Sequence, residues 1–360
     1  MTREELIKAL IPDPVRQGDA YQVPDATGMI KLDAMENPYT WPQFFRDKLA
    51  QRLIDCTLNR YPDPHAEAVR APLRQWMQIP ETLDLLFGNG SDEIIALLIS
   101  NLIDTGRSVS APDPSFVMFQ VLAKQYRVPF RALPLDSDFD IDIDGWMDGL
   151  MEADPALIFV PQPNNPTGNL FSKDRLAQIV ESTQALIVID EAYTAFTDAD
   201  YLDWAADYPN VVVMRTLSKV GLAGSRFGML IGHPDWIAEF DKIRLPYNIN
   251  VLSQTAVQFA LEHTSILEEQ SGMIRQERVR LSTLLAQRGY TVWPSEANFV
   301  VMDCGDQSAR MLFEGLKHHH ILVKCLDGSH PRLCNTLRLT VGAPEESDAL
   351  LAALDQLVSG

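Results

Sequence analysis

A lysine among small residues is the first candidate for chemistry in this sequence. Lys219 follows Ser218, and Gly221, Gly224 and Arg226 come after it. An isolated lysine is usually a solvated surface charge, because this side chain is rarely buried. Glycines beside a lysine let a ligand approach the backbone closely, and the amine can then attack a carbonyl carbon to form an imine.

Polar side chains follow three successive apolar runs. Asn165 comes after the run ending at Val160, Asp190 ends the next run, and Lys219 comes after the run ending at Arg215. Such runs are typical of parallel strands buried on both faces. The intervals between the polar residues each suit one strand–helix–strand crossover. Because ligands of such sheets bind beyond the carboxyl ends of the strands, the sequence predicts that these three side chains meet at one edge.

This combination predicts a site for pyridoxal 5′-phosphate (PLP). PLP needs a lysine for its imine, an anionic partner for its pyridine nitrogen, hydrogen bonds to its ring oxygen and a phosphate site. Lys219 and Asp190 suit the first two needs, and Asn165 and Tyr193 suit the third. Phe116 could stack on the pyridine face, although an aromatic there also fits a core. Taken singly, Asp190 fits a helix cap and Tyr193 a core aromatic, so the interpretation depends on the set. Lys219, Asp190 and Tyr193 are the predicted catalytic residues.

Two segments are candidates for the phosphate site. Gly90, Ser91 and Asp92 belong to a glycine turn that opens a predicted helix. The free N–H groups and the dipole of a helix N-terminus favour an anion. Ser218 and Arg226 flank the lysine, and a guanidinium suits bidentate phosphate binding.

Composition bounds the class of protein. The chain has 360 residues, of which 46% are hydrophobic and 22% charged, with a formal net charge of −19. This charge argues against nucleic acid or an anionic membrane as the main partner. No apolar run approaches the roughly 18 residues of a membrane span, and the N-terminus lacks the apolar core of a signal peptide. The four cysteines have no CxxC spacing, which indicates free thiols in a reducing cytoplasm. The histidines at 318–320 lack a partner at ligand spacing, so no metal is expected.

Periodicity predicts an α/β fold with a mostly parallel sheet flanked by helices, followed by a smaller α+β domain. An extended arm is predicted over 11–24. After Pro246, the pattern predicts helices at 253–262, 273–288 and 344–358 and strands at 298–303, 321–324 and 337–341. The predicted division is 1–40 for the arm and part of the small domain, 41–248 for the large PLP-binding domain and 249–360 for the small C-terminal domain.

The chain resembles the fold-type I PLP-dependent aminotransferases over essentially its full length, and within them the histidinol-phosphate aminotransferases. The subgroup resemblance lies in DAMENPY at 33–39, NRYPD at 59–63, GNGSDE at 88–93 and LRLTVG at 337–342. It implies amino transfer from L-histidinol phosphate to 2-oxoglutarate. The products would be imidazole-acetol phosphate and L-glutamate, in histidine biosynthesis.

The resemblance also implies partners for several residues. It implies a homodimer with shared active sites, in which Tyr61 reaches the PLP phosphate of the neighbouring subunit. Tyr21, in the arm, would touch the substrate phosphate. Asn37 and Arg338 would bind the substrate, and Arg338 would do so at an anionic group of the substrate. Many members carry an arginine where this chain has Lys324, which keeps the charge but loses the guanidinium fork.

Three alternatives stay open at this point. A threonine-phosphate decarboxylase has a similar scaffold and also binds a phosphorylated substrate. A broad aromatic aminotransferase fits if Tyr21 and Phe116 line an aromatic pocket. A non-catalytic regulator with a PLP-binding fold would need a nucleic-acid domain, for which the chain offers neither spare length nor a basic segment.

Overall fold

The computed structural model describes residues 1–16, 18 and 23–359, so the predicted contact of Tyr21 lies outside the described residues. The helices, labelled α1 to α14 in chain order, span Arg3–Leu10, Asp13–Arg16, Gln43–Ile54, Glu67–Trp76, Ser91–Ser100, Met118–Gln125, Ile143–Ala153, Lys173–Ser182, Leu202–Asp207, Pro234–Asp241, Val251–Leu261, Thr264–Gln287, Ala309–His318 and Pro344–Ser359. The strands, labelled β1 to β13, span Ile30–Lys31, Asp84–Asn89, Ser108–Asp113, Phe130–Pro134, Pro155–Pro161, Leu186–Asp190, Val211–Thr216, Phe227–Gly232, Thr291–Val292, Phe299–Asp303, Ile321–Leu322, Lys324–Cys325 and Thr336–Thr340.

A seven-stranded sheet carries the three strand ends of interest. Its strand order is β2-β8-β7-β6-β5-β3-β4, and β8 runs antiparallel to both of its neighbours while the other pairs are parallel. The apolar runs before Asn165, Asp190 and Lys219 are the adjacent strands β5, β6 and β7. Because these strands are parallel neighbours, their carboxyl ends lie side by side. The predicted α/β class with a mostly parallel sheet is confirmed.

The central strands direct alternate residues into two separate cores. Ile158 and Ile187 point to one face, and Phe159 and Val188 point to the other, all fully buried. Side chains alternate between the faces of a strand, so a sheet covered by helices on both sides needs apolar residues at every position. This explains the uninterrupted apolar runs in the sequence and gives the strand ends a rigid support.

A second, four-stranded sheet has the order β12-β13-β10-β9. The short strand β1 pairs in parallel with β11, with Ile30 opposite Ile321, and so joins the N-terminal segment to the C-terminal part of the chain. The domain boundaries at 40 and 248 stay predictions. None of the helices in the described ranges combines the length and apolarity needed to cross a bilayer. The same residues contain no group of three or more His, Cys, Asp or Glu side chains suited to a metal ion.

Two short segments differ from their predicted structure. The described part of 11–24 contains the helix α2, which has Asp13 in its first turn, where an acidic side chain is favourable to the helix dipole. The single strand predicted at 321–324 is instead β11 and β12, separated by Val323. It is divided because β11 pairs with β1, whereas β12 pairs with β13 in the other sheet.

The helix predicted at 273–288 begins nine residues earlier, at Thr264. Gly272 breaks the helical preference of the sequence. The helix nevertheless continues through it, because Leu267 and Ile274 lie on either side of it and are both buried. Tertiary burial outweighs local propensity at this position.

The core of the seven-stranded sheet makes a testable contribution to stability. Met229 on β8 is fully buried, whereas Met311 on α13 is 76% exposed. We expect Met229→Ala to lower the free energy of unfolding by about 2–5 kcal/mol, because the vacated volume refills only in part. Met311→Ala should change it by less than about 0.5 kcal/mol. Urea unfolding followed by circular dichroism measures both, and equal losses in the two variants would contradict the described packing.

Candidate active site

The three strand ends converge on one pocket. Asn165, Asp190 and Lys219 line it together. The other residues predicted from the sequence that line it are Ser91, Asp92, Phe116, Tyr193, Ser218 and Arg226. The lining residues that the sequence argument did not single out are Met35, Pro161, Ala192 and Thr216. The pocket therefore brings together, in one place, side chains that are far apart in the sequence.

Lys219 lies on a single π-helical turn, Ser218–Leu222. Gly221 in this turn has φ 116°, a conformation that glycine adopts without strain. The Lys219 amine donates a hydrogen bond to the Ala34 carbonyl at 3.2 Å. Removal of the amine from water lowers the pKa of Lys219 to about 8, and the positive charge of Arg338 acts in the same direction. Near neutral pH the neutral form, which can act as a nucleophile or base, is therefore far more abundant than for a solvated lysine.

Asp190, at the end of β6, presents a buried carboxyl group to the pocket. One of its oxygens accepts a hydrogen bond from the Ala192 N–H at 3.1 Å. Burial raises the pKa of Asp190 to about 7 and outweighs the opposing effect of the Lys219 charge. A cation placed against this carboxyl group would favour its ionised form again. The side chain is therefore suited to a ligand with a basic ring nitrogen.

A chain of buried side chains leads from the second sheet to the pocket. Arg338 on β13 donates to the Asn165 amide oxygen at 2.6 Å, and the Asn165 amide nitrogen donates to the Tyr193 hydroxyl at 3.1 Å. Burial raises the pKa of Tyr193 well above its usual range. The phenol consequently keeps its proton, and the guanidinium fixes the orientation of the amide.

The two segments predicted to hold a phosphate meet at this pocket. Ser91 begins α5 and lines the pocket, so the free N–H groups at the N-terminus of this helix lie beside the pocket. Gly90 has φ +82°, and a Cβ atom there would lie 2.5 Å from Nη2 of Arg226. Arg226 donates to the Asp92 carboxylate at 3.3 Å, and the buried Ser218 lines the same pocket. Helix N-terminus, guanidinium and hydroxyl together form a donor set suited to a phosphate dianion.

An ion-pair network that the sequence patterns did not reveal, with Arg215 and Glu191 buried, joins two of the strand ends. Arg215 on β7 donates to Glu191 at 2.6 Å and to Asp200 at 2.8 Å. Glu191 directly follows Asp190, and Arg215 lies four residues before Lys219. A charged residue inside an otherwise apolar strand was the available signal, because such a residue needs a buried partner.

None of the described residues that were assigned by resemblance lines this pocket, and two of them are exposed. Tyr61 is 81% exposed and stacks on Tyr247, with 4.5 Å between the ring centres. Lys324 is exposed on β12, directly opposite Arg338 on β13. Opposite residues of an antiparallel pair project from the same face. The two cations therefore stand on neighbouring strands, one buried beside the pocket and one at the surface.

Asn37, assigned to substrate by resemblance, has hydrogen-bond partners within the protein. Its amide nitrogen donates to the Val220 carbonyl at 3.3 Å and to Gln270 at 3.1 Å. Its amide oxygen accepts from the Tyr39 N–H at 2.8 Å. In this structure Asn37 links the lysine turn to α12, and its role toward a substrate stays a prediction.

Comparison with known proteins gives a consistent family. Residues 27–354 match the family model described as aminotransferase class I and II. Histidinol-phosphate aminotransferase 2 of Nitrosococcus oceani is 42% identical over 98% of each chain. Histidinol-phosphate aminotransferase 1 of Ralstonia nicotianae is 44% identical over 97% of this chain and 95% of that protein. A crystal structure of histidinol-phosphate aminotransferase from Sinorhizobium meliloti in complex with pyridoxal-5'-phosphate superposes with a TM-score of 0.86 at 24% identity, covering 97% of this chain and 98% of that one.

The lowered pKa of Lys219 predicts an unusual pH profile in the protein without cofactor. Below its pKa the amine is protonated and does not attack electrophiles. Its acylation rate should therefore rise with pH, reach half of its plateau near pH 8 and level off above it. In concentrated urea the same lysine should titrate near the ordinary value of about 10.4. Peptide mass spectrometry measures both profiles. A midpoint near 10 in the folded protein would contradict the described burial.

Proposed function

Because the chain belongs to the class I and II aminotransferases, we propose that it transfers the amino group of L-histidinol phosphate to 2-oxoglutarate. The products are imidazole-acetol phosphate and L-glutamate, and the reaction belongs to histidine biosynthesis. The observation that carries the proposal is that one pocket contains Lys219, Asp190 and the donor set described above for a phosphate. The names of relatives that are 42% and 44% identical support the choice of substrate. The free cysteines fit a reducing cytoplasm as the place of the reaction.

We propose PLP as the cofactor. When bound, it supplies an electron sink for the negative charge that develops at the reacting carbon of the substrate. Asp190 would pair with the ring nitrogen, and Asn165 and Tyr193 would donate to the ring oxygen. The residues proposed to hold the phosphate and the ring face are Gly90, Ser91, Asp92, Ser218, Arg226 and Phe116. The buried Asp190 carboxyl group fits a basic ring nitrogen, and the missing Cβ atom at Gly90 lets the Arg226 guanidinium lie against the glycine turn that would hold the phosphate.

Lys219 has two proposed tasks. Its Nζ would hold the cofactor covalently, and when free it would accept a proton at Nζ from the α-carbon of the substrate and later release it. A base works best when its pKa lies near the operating pH. The pKa of about 8 meets this condition, whereas that of a solvated lysine does not. Tyr193 holds its phenolic proton and orients Asn165 through their hydrogen bond.

The substrates carry anionic groups, a phosphate on the amine and carboxylates on the 2-oxo acid. Arg338 and Lys324 are the proposed cations for them, from neighbouring strands of the four-stranded sheet. Arg338 is buried and can bind a planar carboxylate with its fork, whereas Lys324 acts as a point charge. Tyr21 is a further proposed contact of the substrate phosphate.

We propose a homodimer with shared active sites. Exposed apolar side chains gather around a groove formed by two segments, 58–62 and 246–252. Leu58 is 70% exposed and Tyr61 81% exposed in the single chain. A contiguous apolar surface of this kind marks a protein interface. In the proposed dimer this patch is covered by the second copy, and Tyr61 reaches the neighbouring pocket.

The proposed reaction has a direct test. The purified protein with PLP, L-histidinol phosphate and 2-oxoglutarate should form glutamate, and borohydride should fix the cofactor on the peptide that contains Lys219. Lys219→Ala should lower the rate by about 10²–10⁴-fold or more, because it removes the proposed base as well as the attachment point. Phenylalanine and tyrosine serve as competing donors, and threonine phosphate with CO₂ measurement tests decarboxylation. Faster turnover of any of these would reject histidinol phosphate as the substrate.

We expect substitution of Lys324 to affect the two half-reactions differently. If its charge binds the phosphate of the donor, Lys324→Ala should raise the KM for histidinol phosphate by about tenfold, the cost of losing a charged contact. The half-reaction with 2-oxoglutarate should stay close to that of the parent protein. Lys324→Arg is the control that keeps the charge, and it should restore most of the affinity. A variant impaired only with 2-oxoglutarate would assign Lys324 to the acceptor carboxylate instead.

A further inference from the structure

The segment 32–35 crosses from β1 to the pocket and is fixed by the four-stranded sheet. Leu32 O accepts a hydrogen bond from the Thr340 N–H at 3.0 Å, and Asp33 O accepts from Arg338 Nη2 at 2.9 Å. The Thr340 hydroxyl accepts from the Met35 N–H at 3.0 Å. The Asn298 amide donates to Met35 O at 2.9 Å. Residues just before β10 and at the end of β13 thus bind this segment at successive backbone groups.

The carbonyl of Ala34 is held differently. Its neighbours, the carbonyls of Asp33 and Met35, are bound by the sheet residues, whereas the Ala34 oxygen accepts from the Lys219 amine at 3.2 Å. The fixed segment therefore presents one backbone acceptor to the amine of the pocket. Ala34 and Lys219 are 185 residues apart in sequence, so this contact exists only when the two sheets are correctly placed.

Met35 shows that the segment is constrained. It has φ 53°, in the left-handed region that a non-glycine residue rarely occupies, and its side chain lines the pocket. Such a conformation persists where surrounding contacts over-determine it. Thr340 and Asn298, 2% and 0% exposed, supply these contacts on the N–H and C=O of the same residue.

We infer that Thr340 and Asn298 are positioning residues that hold Met35 and thereby aim the Ala34 carbonyl at the Lys219 amine. In the proposed reaction this carbonyl would accept a hydrogen bond from the Lys219 amine whenever the amine is free, and would thereby restrict the orientation of the amine lone pair. This role rests on the proposed function. The hydrogen-bond geometry of the segment does not, and it can be measured separately.

The test uses the full-length protein, prepared without and with PLP. Thr340→Val removes the acceptor for the Met35 N–H, Thr340→Ser keeps it, and Asn298→Ala removes the contact to Met35 O. The matched control is Thr336→Val, on the same strand. Thr336 is also buried, but its hydroxyl donates to Leu333 O, away from the segment. Circular dichroism confirms that each variant folds.

The first measurement is hydrogen–deuterium exchange of the peptide covering 32–38. In Thr340→Val, with or without PLP, we expect about tenfold faster exchange of the Met35 amide, because a net hydrogen bond is lost. Thr336→Val should leave this peptide unchanged, and Thr340→Ser should restore slow exchange. Unchanged exchange in both Thr340→Val and Asn298→Ala would overturn the inference, whatever the protein's activity.

The second measurement is the half-reaction with the amine substrate. In Thr340→Val we expect kcat to fall by about tenfold to a hundredfold with little change in KM, since a small misplacement of a reacting group has an effect of this size. Thr340→Ser should recover most of the rate. Equal losses in Thr340→Val and Thr336→Val, or a loss confined to KM, would reject a positioning role. A parent protein without amino transfer would instead reject the proposed function and leave the exchange result to be judged alone.

Discussion

Holding an amine and a carboxyl group out of water in one pocket is the constraint on which the rest of this structure depends. Removing ionised groups from water has an effective cost of several kcal/mol per ion in proteins. Here the cost appears as a pKa of about 8 for Lys219 and about 7 for Asp190, each displaced toward its neutral form. Each group can therefore gain or lose a proton near neutral pH. This requires the surrounding chain to hold both side chains in place.

The seven-stranded sheet meets this requirement through its two cores. Side chains on both faces lock β5, β6 and β7 against helices, so the positions of their carboxyl ends are determined by the packing of whole strands. The buried ion pair of Arg215 with Glu191 directly links the ends of β6 and β7. Breaking a buried pair of this kind leaves an uncompensated charge, which makes the relative placement of these strand ends strongly favoured.

Local patterns were sufficient to predict much of this arrangement. Uninterrupted apolar runs followed by Asn165, Asp190 and Lys219 predicted the parallel strands and the meeting of the three side chains, because strand direction and crossover length follow from sequence spacing. The N-terminus of α5 was also predictable from a local pattern, because helical periodicity begins directly after the glycine turn before Ser91. Asn37 shows the limit of this reasoning, since its partners Val220 and Gln270 lie far along the chain.

The segment 32–35 could not be predicted for a related physical reason. Its contacts with Asn298, Arg338 and Thr340 join residues that are 263 to 308 positions apart, and they depend on the register between β10 and β13. A single sequence carries no local signal for such a register. Likewise, the helix predicted from residue 273 begins at Thr264, where burial of Leu267 and Ile274 extends α12 through Gly272.

The two sheets carry different parts of the proposed site. Asn165, Asp190 and Lys219 lie at or just after strand ends of the seven-stranded sheet, whereas Arg338 and Lys324, the proposed cations for the substrates, lie on the four-stranded one. In evolutionary terms, this division allows the residues for reactivity and the residues for substrate specificity to change independently. Exchange of a residue on β12 could redirect the proposed enzyme to another anion without disturbing the amine and carboxyl group, and the lineage could acquire new substrates while keeping one chemistry.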